Sequence, residues 1–428
     1  MGLLGRLIEA APRYAGLLRS QYWRSEQMDA WREEHLERTL RAAAKIPFYA
    51  ERLGGAMRPA DLATLPILSR GDIAPLSASV RSLYPPNTKF IAERSSGTSG
   101  VAVELLFDRS HQTGRNAART RYLRANGWSP LRRTVWFVGA RLLTMDNPDY
   151  GEAATLIRGF ASMGVKFLST FMPFDEAVEA LERIRPLSIY AYPSGIDGIL
   201  RAMEESGRRL PSIRLVMCGG EAVDDSLRQR TREIFGFDLR DNYGSTEAFL
   251  AFECPAGSYH INAEHVILEI IDESGREVAP GAMGRVLVTT LENYLMPLIR
   301  YEIGDYAIAA RGACACGRTL PLIGPVLGRK VNLLRMPDGS LISGWYALGM
   351  LREAPELRIF QLIQKSLTDV QVRYVADVPI SHESEVTAVA KLRNQLGPQV
   401  IVTFERVDAI ERSSGGKFMV TRSEIADS

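Results

Sequence analysis

The sequence predicts an α/β protein: a large N-terminal domain with mainly parallel sheet and a β-rich subdomain, then a small mobile α+β C-terminal domain. Three observations carry this. Between residues 110 and 240, apolar strand-like runs alternate with helical stretches, the pattern of βαβ units whose parallel strands are joined by covering helices. After Glu247 helical periodicity stops, and β-branched runs separated by Gly/Pro turns take over. Near Gly328 the texture changes again, to a compact mixture of strands and one helix.

Residues 1–90 form a helical lead-in: Met28, Leu36, Leu40 and Ala43 fall at helical spacing within 27–46, and Pro47 ends that run. Helices follow at 112–126, 153–163, 175–184, 194–205 and 224–235. Strands are expected at 134–138, 165–168, 187–191, 213–218 and 237–240. In such sheets ligands collect beyond the carboxyl ends of the strands. Strands at 265–271 and 284–290 belong to the β-rich subdomain, 248–328. The large N-terminal domain spans 1–328, and residues 329–428 form the C-terminal domain, with strands at 359–363, 370–375 and 400–404 and a helix at 381–396.

Composition excludes several classes. A 428-residue chain with 46% apolar and 24% charged residues is ordinary for a globular protein. A net charge of +2, spread along the chain, gives no field for nucleic acid. No apolar run approaches the roughly 20 residues of a membrane span. Arg6, Glu9 and Arg13 interrupt the N-terminus, which therefore does not read as a secretory signal, and four cysteines do not make a disulfide framework. The cytoplasm is the expected compartment.

The chemistry is concentrated in five segments. Ser95, Ser96, Gly97, Thr98, Ser99 and Gly100 make a loop of small residues whose N–H and hydroxyl groups suit phosphate oxygens. It is not a Walker loop, because no lysine follows Gly100. Gly219, Gly220 and Glu221 follow Cys218 at the end of one strand. Asn242, Tyr243, Gly244, Ser245, Thr246 and Glu247 follow another. Asp305 ends the run from Arg300, with Gly328 and Arg329 two dozen residues on, and Lys417 follows Gly415 and Gly416.

In order and approximate spacing, these segments resemble the acyl-adenylate-forming superfamily. More narrowly they resemble its phenylacetate–CoA ligase branch with CapK-like and coenzyme-synthetase-like relatives. The resemblance covers about residues 30–420. It implies that a carboxylate attacks the α-phosphate of ATP, giving an acyl-AMP and pyrophosphate, after which the acyl group passes to CoA. Catalysis would then be positioning and electrostatic stabilisation. By the same resemblance Lys417, Glu247 and Thr246 are catalytic: Glu247 holds Mg²⁺, Thr246 donates to the α-phosphate, and Lys417 is delivered by domain closure. Tyr243 stacks on adenine, Asp305 takes the ribose hydroxyls with Arg329 nearby, and the 219–221 backbone approaches the base. The acyl pocket falls near Phe137, Tyr190, Tyr192, Pro193, Gly219 and Phe249.

A second constellation is independent. Five residues separate Cys254 from His260 and one separates Cys314 from Cys316. Three thiolates and an imidazole would make a closed structural Zn²⁺ site that staples the β-rich subdomain. The chain also departs from the family pattern. No lysine follows the phosphate loop, and Val331 stands where the hinge Asp is usual. Residues 336–343 look more like CapK-like chains. The expected partners are therefore a small carboxylic acid and an acceptor, either CoA, an amine or a carrier thiol, with no nucleic acid and no membrane span. A homodimer is compatible with the sequence. The other readings are an amide ligase and a non-catalytic zinc-stabilised nucleotide-binding protein.

Overall fold

The computed structural model describes residues 3–55, 58–94, 103–138, 164–329, 333–336, 341–343, 351, 356–357, 359–410 and 421–425, with the backbone alone for 3–10. The phosphate loop at 95–100, the helix expected at 153–163, the hinge at 331–332 and Lys417 lie outside these residues.

The lead-in is helical: α1 (Leu3–Ser20), α2 (Ser25–Ala43), α3 (Pro47–Ala50) and α4 (Ile73–Arg81). Pro47 does end α2, and its fixed φ then opens α3. A hairpin of β1 (Ile91–Arg94) and β2 (Glu104–Phe107) leads into α5 (Arg109–Ala125). Asp108 caps α5 by accepting from the His111 amide at 2.8 Å.

The expected parallel sheet is present. Its strands are β3 (Thr134–Val138), β4 (Val165–Ser169), β5 (Ser188–Ala191) and β6 (Leu215–Cys218), in the order β4-β3-β5-β6 with every pairing parallel. Helices α6 (Phe174–Ile184), α7 (Pro193–Ser206) and α8 (Asp225–Phe235) supply its covering layer. Their ends are written locally. Pro193 sits in the first turn of α7, Asp224 caps α8 through the Leu227 amide at 2.7 Å, and Gly207 and Gly236 close α7 and α8 in the left-handed region.

One expected strand is not there. Residues 237–240 form only an isolated bridge, Met217 to Arg240. Two backbone bonds, Arg240 N–H to Val216 O and Cys218 N–H to Arg240 O, complete that contact. β7 (Asn242–Gly244) begins two residues later.

Beyond it β8 (Phe249–Glu253), β9 (Tyr259–Ile261), β10 (Val266–Ile271), β11 (Met283–Thr290), β12 (Tyr301–Ala309) and β13 (Leu322–Arg329) build a seven-stranded sheet, ordered β10-β11-β12-β13-β9-β8-β7. All its pairings are antiparallel. This is the widest sheet among the described residues, and its core is continuous with the helical lead-in. Buried Arg121 on α5 fastens the two, bonding Glu264 at 2.7 and 3.0 Å, Asn262 at 2.5 Å and the Leu17 carbonyl at 3.2 Å.

The C-terminal region holds the hairpin β14 (Leu333–Arg335) and β15 (Leu341–Ser343), then β16 (Ile359–Gln364), β17 (Asp369–Val375), α9 (His382–Leu396), β18 (Ile401–Arg406) and β19 (Thr421–Ser423). The order β18-β17-β16-β19 mixes parallel and antiparallel pairs over an apolar core of its own, the α+β region expected. Among the described residues no helix is long and apolar enough to cross a membrane.

Candidate active site and candidate metal centre

Three strand ends meet where the parallel sheet faces the antiparallel one. At the end of β6, a Cβ on Gly219 would lie 2.3 Å from the Asn242 amide nitrogen, so only glycine fits. Gly220 follows with φ +84°, turning the chain away. Glu221 then accepts from the Ser194 amide at 2.9 Å and the Ser194 hydroxyl at 3.1 Å, capping the start of α7. Asn242 ties the ends together, donating to the Cys218 carbonyl at 2.6 Å and the Tyr190 hydroxyl at 3.1 Å. Beneath β7, Asp241 accepts from Tyr259 at 2.6 Å, and burial lifts its carboxyl to about 7.

Tyr243, buried on β7, donates its hydroxyl to Asp305 at 2.8 Å. Burial first, and then the charge of Asp305, keeps that phenol protonated. Asp305 on β12 pairs in register with Arg329 on β13, whose Nε lies 3.9 Å from its carboxylate. Tyr243, Asp305 and Arg329 are thus brought together from three strands.

Gly244 and Ser245 turn the chain, with the Ser245 amide donating to the Ala248 carbonyl at 2.9 Å. Thr246 and Glu247 follow, and α5 holds this segment turn by turn. His111 Nε2 donates to the Glu247 carbonyl at 2.9 Å, and Arg115 donates to the Thr246 carbonyl at 3.0 Å while paired with Glu93 at 3.0 Å. Burial, then the positive charge of Arg115, holds His111 neutral by lowering it to about 3. The Glu247 carboxylate is buried beside the Tyr301 phenol. A buried carboxylate is a hard oxygen donor of the kind magnesium takes.

The residues expected around the acyl group fall on two faces of the parallel sheet. Tyr190 and Phe249 lie on the face toward α5, with Trp136 5.5 Å from Tyr190. Phe137 lies on the opposite face, which α6 and α7 cover, in a cleft it shares with Tyr192, Ser194 and Phe174. Alternation along a strand makes this unavoidable for neighbours such as Trp136 and Phe137. Pro193 is buried in the first turn of α7.

The helix expected at 112–126 is present as α5, but sequence reasoning missed its support of the site. His111, Arg115, Arg119 and Tyr122 lie on one face at helical spacing, and Tyr122 donates to the Arg240 carbonyl at 2.8 Å. That spacing was the available signal, and charged residues on a helix normally mean solvent.

Cys254, His260, Cys314 and Cys316 do converge, their ligand atoms all within 4.8 Å of one another. The Cys254 and Cys314 sulfurs are 3.5 Å apart, too far for a disulfide bond, and Cys316 Sγ is 3.3 Å from His260 Nε2. Thiolates about 2.3 Å from one ion in a tetrahedron would be separated by a little under 4 Å. Burial, then Arg318, lowers His260 to about 4, which keeps the imidazole neutral. Cys314 sits at about 7, since hydrogen bonds from Ser258 and Cys316 outweigh the opposing effect of burial. A soft Cys₃His set with one neutral imidazole fits Zn²⁺.

The family described as AMP-binding enzyme matches residues 146–295, and the CapK C-terminal domain matches residues 334–424. The phenylacetate-coenzyme A ligase of Thermus thermophilus is 26% identical over 326 residues, 72% of each chain. The enzyme of the same name from Escherichia coli is 24% identical over 342 residues, again 72% of each. A crystal structure of a 2-hydroxyisobutyryl-CoA ligase in the postadenylation state superposes with a TM-score of 0.73 at 17% identity, covering 95% of this chain and 93% of that one, which shows a shared fold.

Proposed function

The chain belongs to the acyl-adenylate-forming superfamily, in the branch of phenylacetate–CoA ligases and CapK-like proteins, and we propose that it activates a carboxylic acid with ATP and passes the acyl group to CoA. The convergence of Tyr243, Asp305 and Arg329 beside the buried Glu247 carries this reading.

The nucleophile is the substrate carboxylate, so the site needs no general base. Its oxygen attacks the α-phosphorus, a C–O–P bond forms, and pyrophosphate departs. Asp305, fixed by the Tyr243 hydroxyl, accepts from the ribose hydroxyls and sets the nucleotide's register. Arg329 lies alongside for ribose or phosphate. The 219–221 turn lays backbone against the adenine, with Tyr243 stacked on it. Thr246 donates to the α-phosphate. Glu247 would hold magnesium, which would supply positive charge against the polyanion. His111 and Arg115 keep the Thr246–Glu247 backbone at the register this requires. Ser95–Gly100 and Lys417 are assigned their roles by resemblance: the loop wraps the departing pyrophosphate, and the lysine bridges carboxylate and α-phosphate. In the second step the CoA sulfur attacks the acyl carbon and AMP leaves.

In this reading Cys254, His260, Cys314 and Cys316 would hold a structural Zn²⁺, which would pin β8 and β9 to the loop before β13. Four protein ligands would leave no open position for catalysis, so the ion's role would be structural.

The test is product analysis with ATP, magnesium and a panel of aryl, fatty and amino acids, offered CoA or simple amines. A CoA thioester formed with AMP supports the proposal. An amide formed while CoA stays unused would move the protein to the amide-ligase reading.

A further inference from the structure

Among the described residues, one cation on the α5 ladder has no protein acceptor. His111 bonds the Glu247 carbonyl, Arg115 the Thr246 carbonyl and Glu93, and Tyr122 the Arg240 carbonyl. Arg119 lies on the same face, one turn beyond Arg115, and is partly buried. Its guanidinium stands over the Phe249 ring, 5.9 Å from the centroid. Tyr190 is near enough to act on its charge, and among the described residues it makes no hydrogen bond or ion pair. The carboxylate within its electrical reach, Glu93, is already held by Arg115 and Gln112.

A guanidinium withdrawn from water without a counter-anion is costly, and its planar fork matches a carboxylate. Burial, and then the neighbouring charge of Arg115, both disfavour the cation here. The surroundings are aromatic on two sides, Phe249 and Tyr190, with Trp136 beyond. Position separates this charge from the reacting one. Thr246 and Glu247 are held at the turns of Arg115 and His111, whereas Arg119 is a turn further on, about 5.4 Å along the helix axis.

We infer that Arg119 is a specificity residue that receives a second carboxylate on the acyl substrate, so that the preferred acid is a dicarboxylate with an apolar, ring-sized spacer. One carboxylate reacts with ATP, and the other stays ionised against Arg119 while the spacer lies along Phe249 and Tyr190. This rests on the adenylation reading and narrows its substrate class.

The experiment measures acid-dependent exchange of labelled pyrophosphate into ATP for two matched pairs: phenylacetate against 1,4-phenylenediacetate, and hexanoate against adipate. It uses the full-length wild type, Arg119→Gln and Arg119→Lys. The wild type is expected to favour the diacid of at least one pair by tenfold or more in kcat/KM. Arg119→Gln should collapse that ratio by at least tenfold, through the KM of the diacid, and Arg119→Lys should recover part of it. Exchange that favours the monoacids in the wild type, or a ratio unchanged in Arg119→Gln, overturns the assignment and leaves the adenylation reading standing. Exchange with no acid of a broad panel would overturn both.

Discussion

Replacing Asp305 by Ala should weaken ATP use about ten- to a hundredfold, and the structure says how that loss divides. The carboxylate is held on one side by the Tyr243 hydroxyl at 2.8 Å and approached on the other by Arg329 at 3.9 Å. Hydrogen bonds to an ionised group contribute about 1.5–3 kcal/mol each, and a factor of ten is about 1.4 kcal/mol. Losing the acceptor for the ribose therefore raises the KM for ATP by one to two orders of magnitude, with a smaller change in kcat. Tyr243→Phe keeps the ring but frees the carboxylate to turn, so its own effect should be about tenfold or less. Because the two side chains touch, the double variant should resemble Asp305→Ala alone rather than the product of both effects. The assay is pyrophosphate exchange over a range of ATP, with the acid saturating. An unchanged KM for ATP in Asp305→Ala, or strictly multiplicative losses in the double variant, would refute the role given to this pair.

Protein purified without chelator should contain about one equivalent of zinc, and Cys316→Ser should lose it and lower the unfolding temperature; metal-free wild type of undiminished stability would remove the site. Arg121→Met leaves Glu264 buried without its partner, a loss of about 3–5 kcal/mol by urea denaturation; a change below about 1 kcal/mol would show that the pair does not fasten α1 and α5 to the large sheet. Glu292 is held down to about 2, because His265 and Arg13 outweigh the opposing effect of its burial. A depressed carboxyl stabilises the fold above its unfolded value of 4.5, and that contribution drains away as the pH falls toward 2. Glu292→Gln should flatten the acid limb of stability over this window, and an identical acid limb in the variant would count against the pairing.

Much of the fold was legible because local signals agreed with it. The run at 134–138 is a strand from end to end, and Asp224 and Pro193 mark helix starts where they stand in the sequence. Residues 237–240 misled because Phe237 and Leu239 alternate like a strand; the segment in fact carries the chain across to β7 with one bridge. The width of the antiparallel sheet was not legible, since β9 finds β13 some sixty residues away and only the closed fold brings them together. Among the site residues, spacing marked the Cys₃His set well, because a metal site needs few residues and all four are chemically distinctive. Asp305, Arg329 and Tyr243 had to be read through resemblance, and the register of β12 against β13 supplies the physical reason they meet. The pocket residues split because Tyr190 and Phe137 point to opposite faces, a parity that a list of aromatics does not reveal. Arg119 escaped notice because an arginine on a helix reads as a solvated residue until its neighbours are known.

In the proposed reaction a carboxylate attacks the α-phosphorus of ATP at this site. Label from pyrophosphate should enter ATP only when a carboxylic acid is present, with no need for CoA, and AMP should be the nucleotide released once an acceptor is added. Exchange that proceeds without any acid, or turnover that yields ADP and inorganic phosphate, would rule out acyl-adenylate formation here.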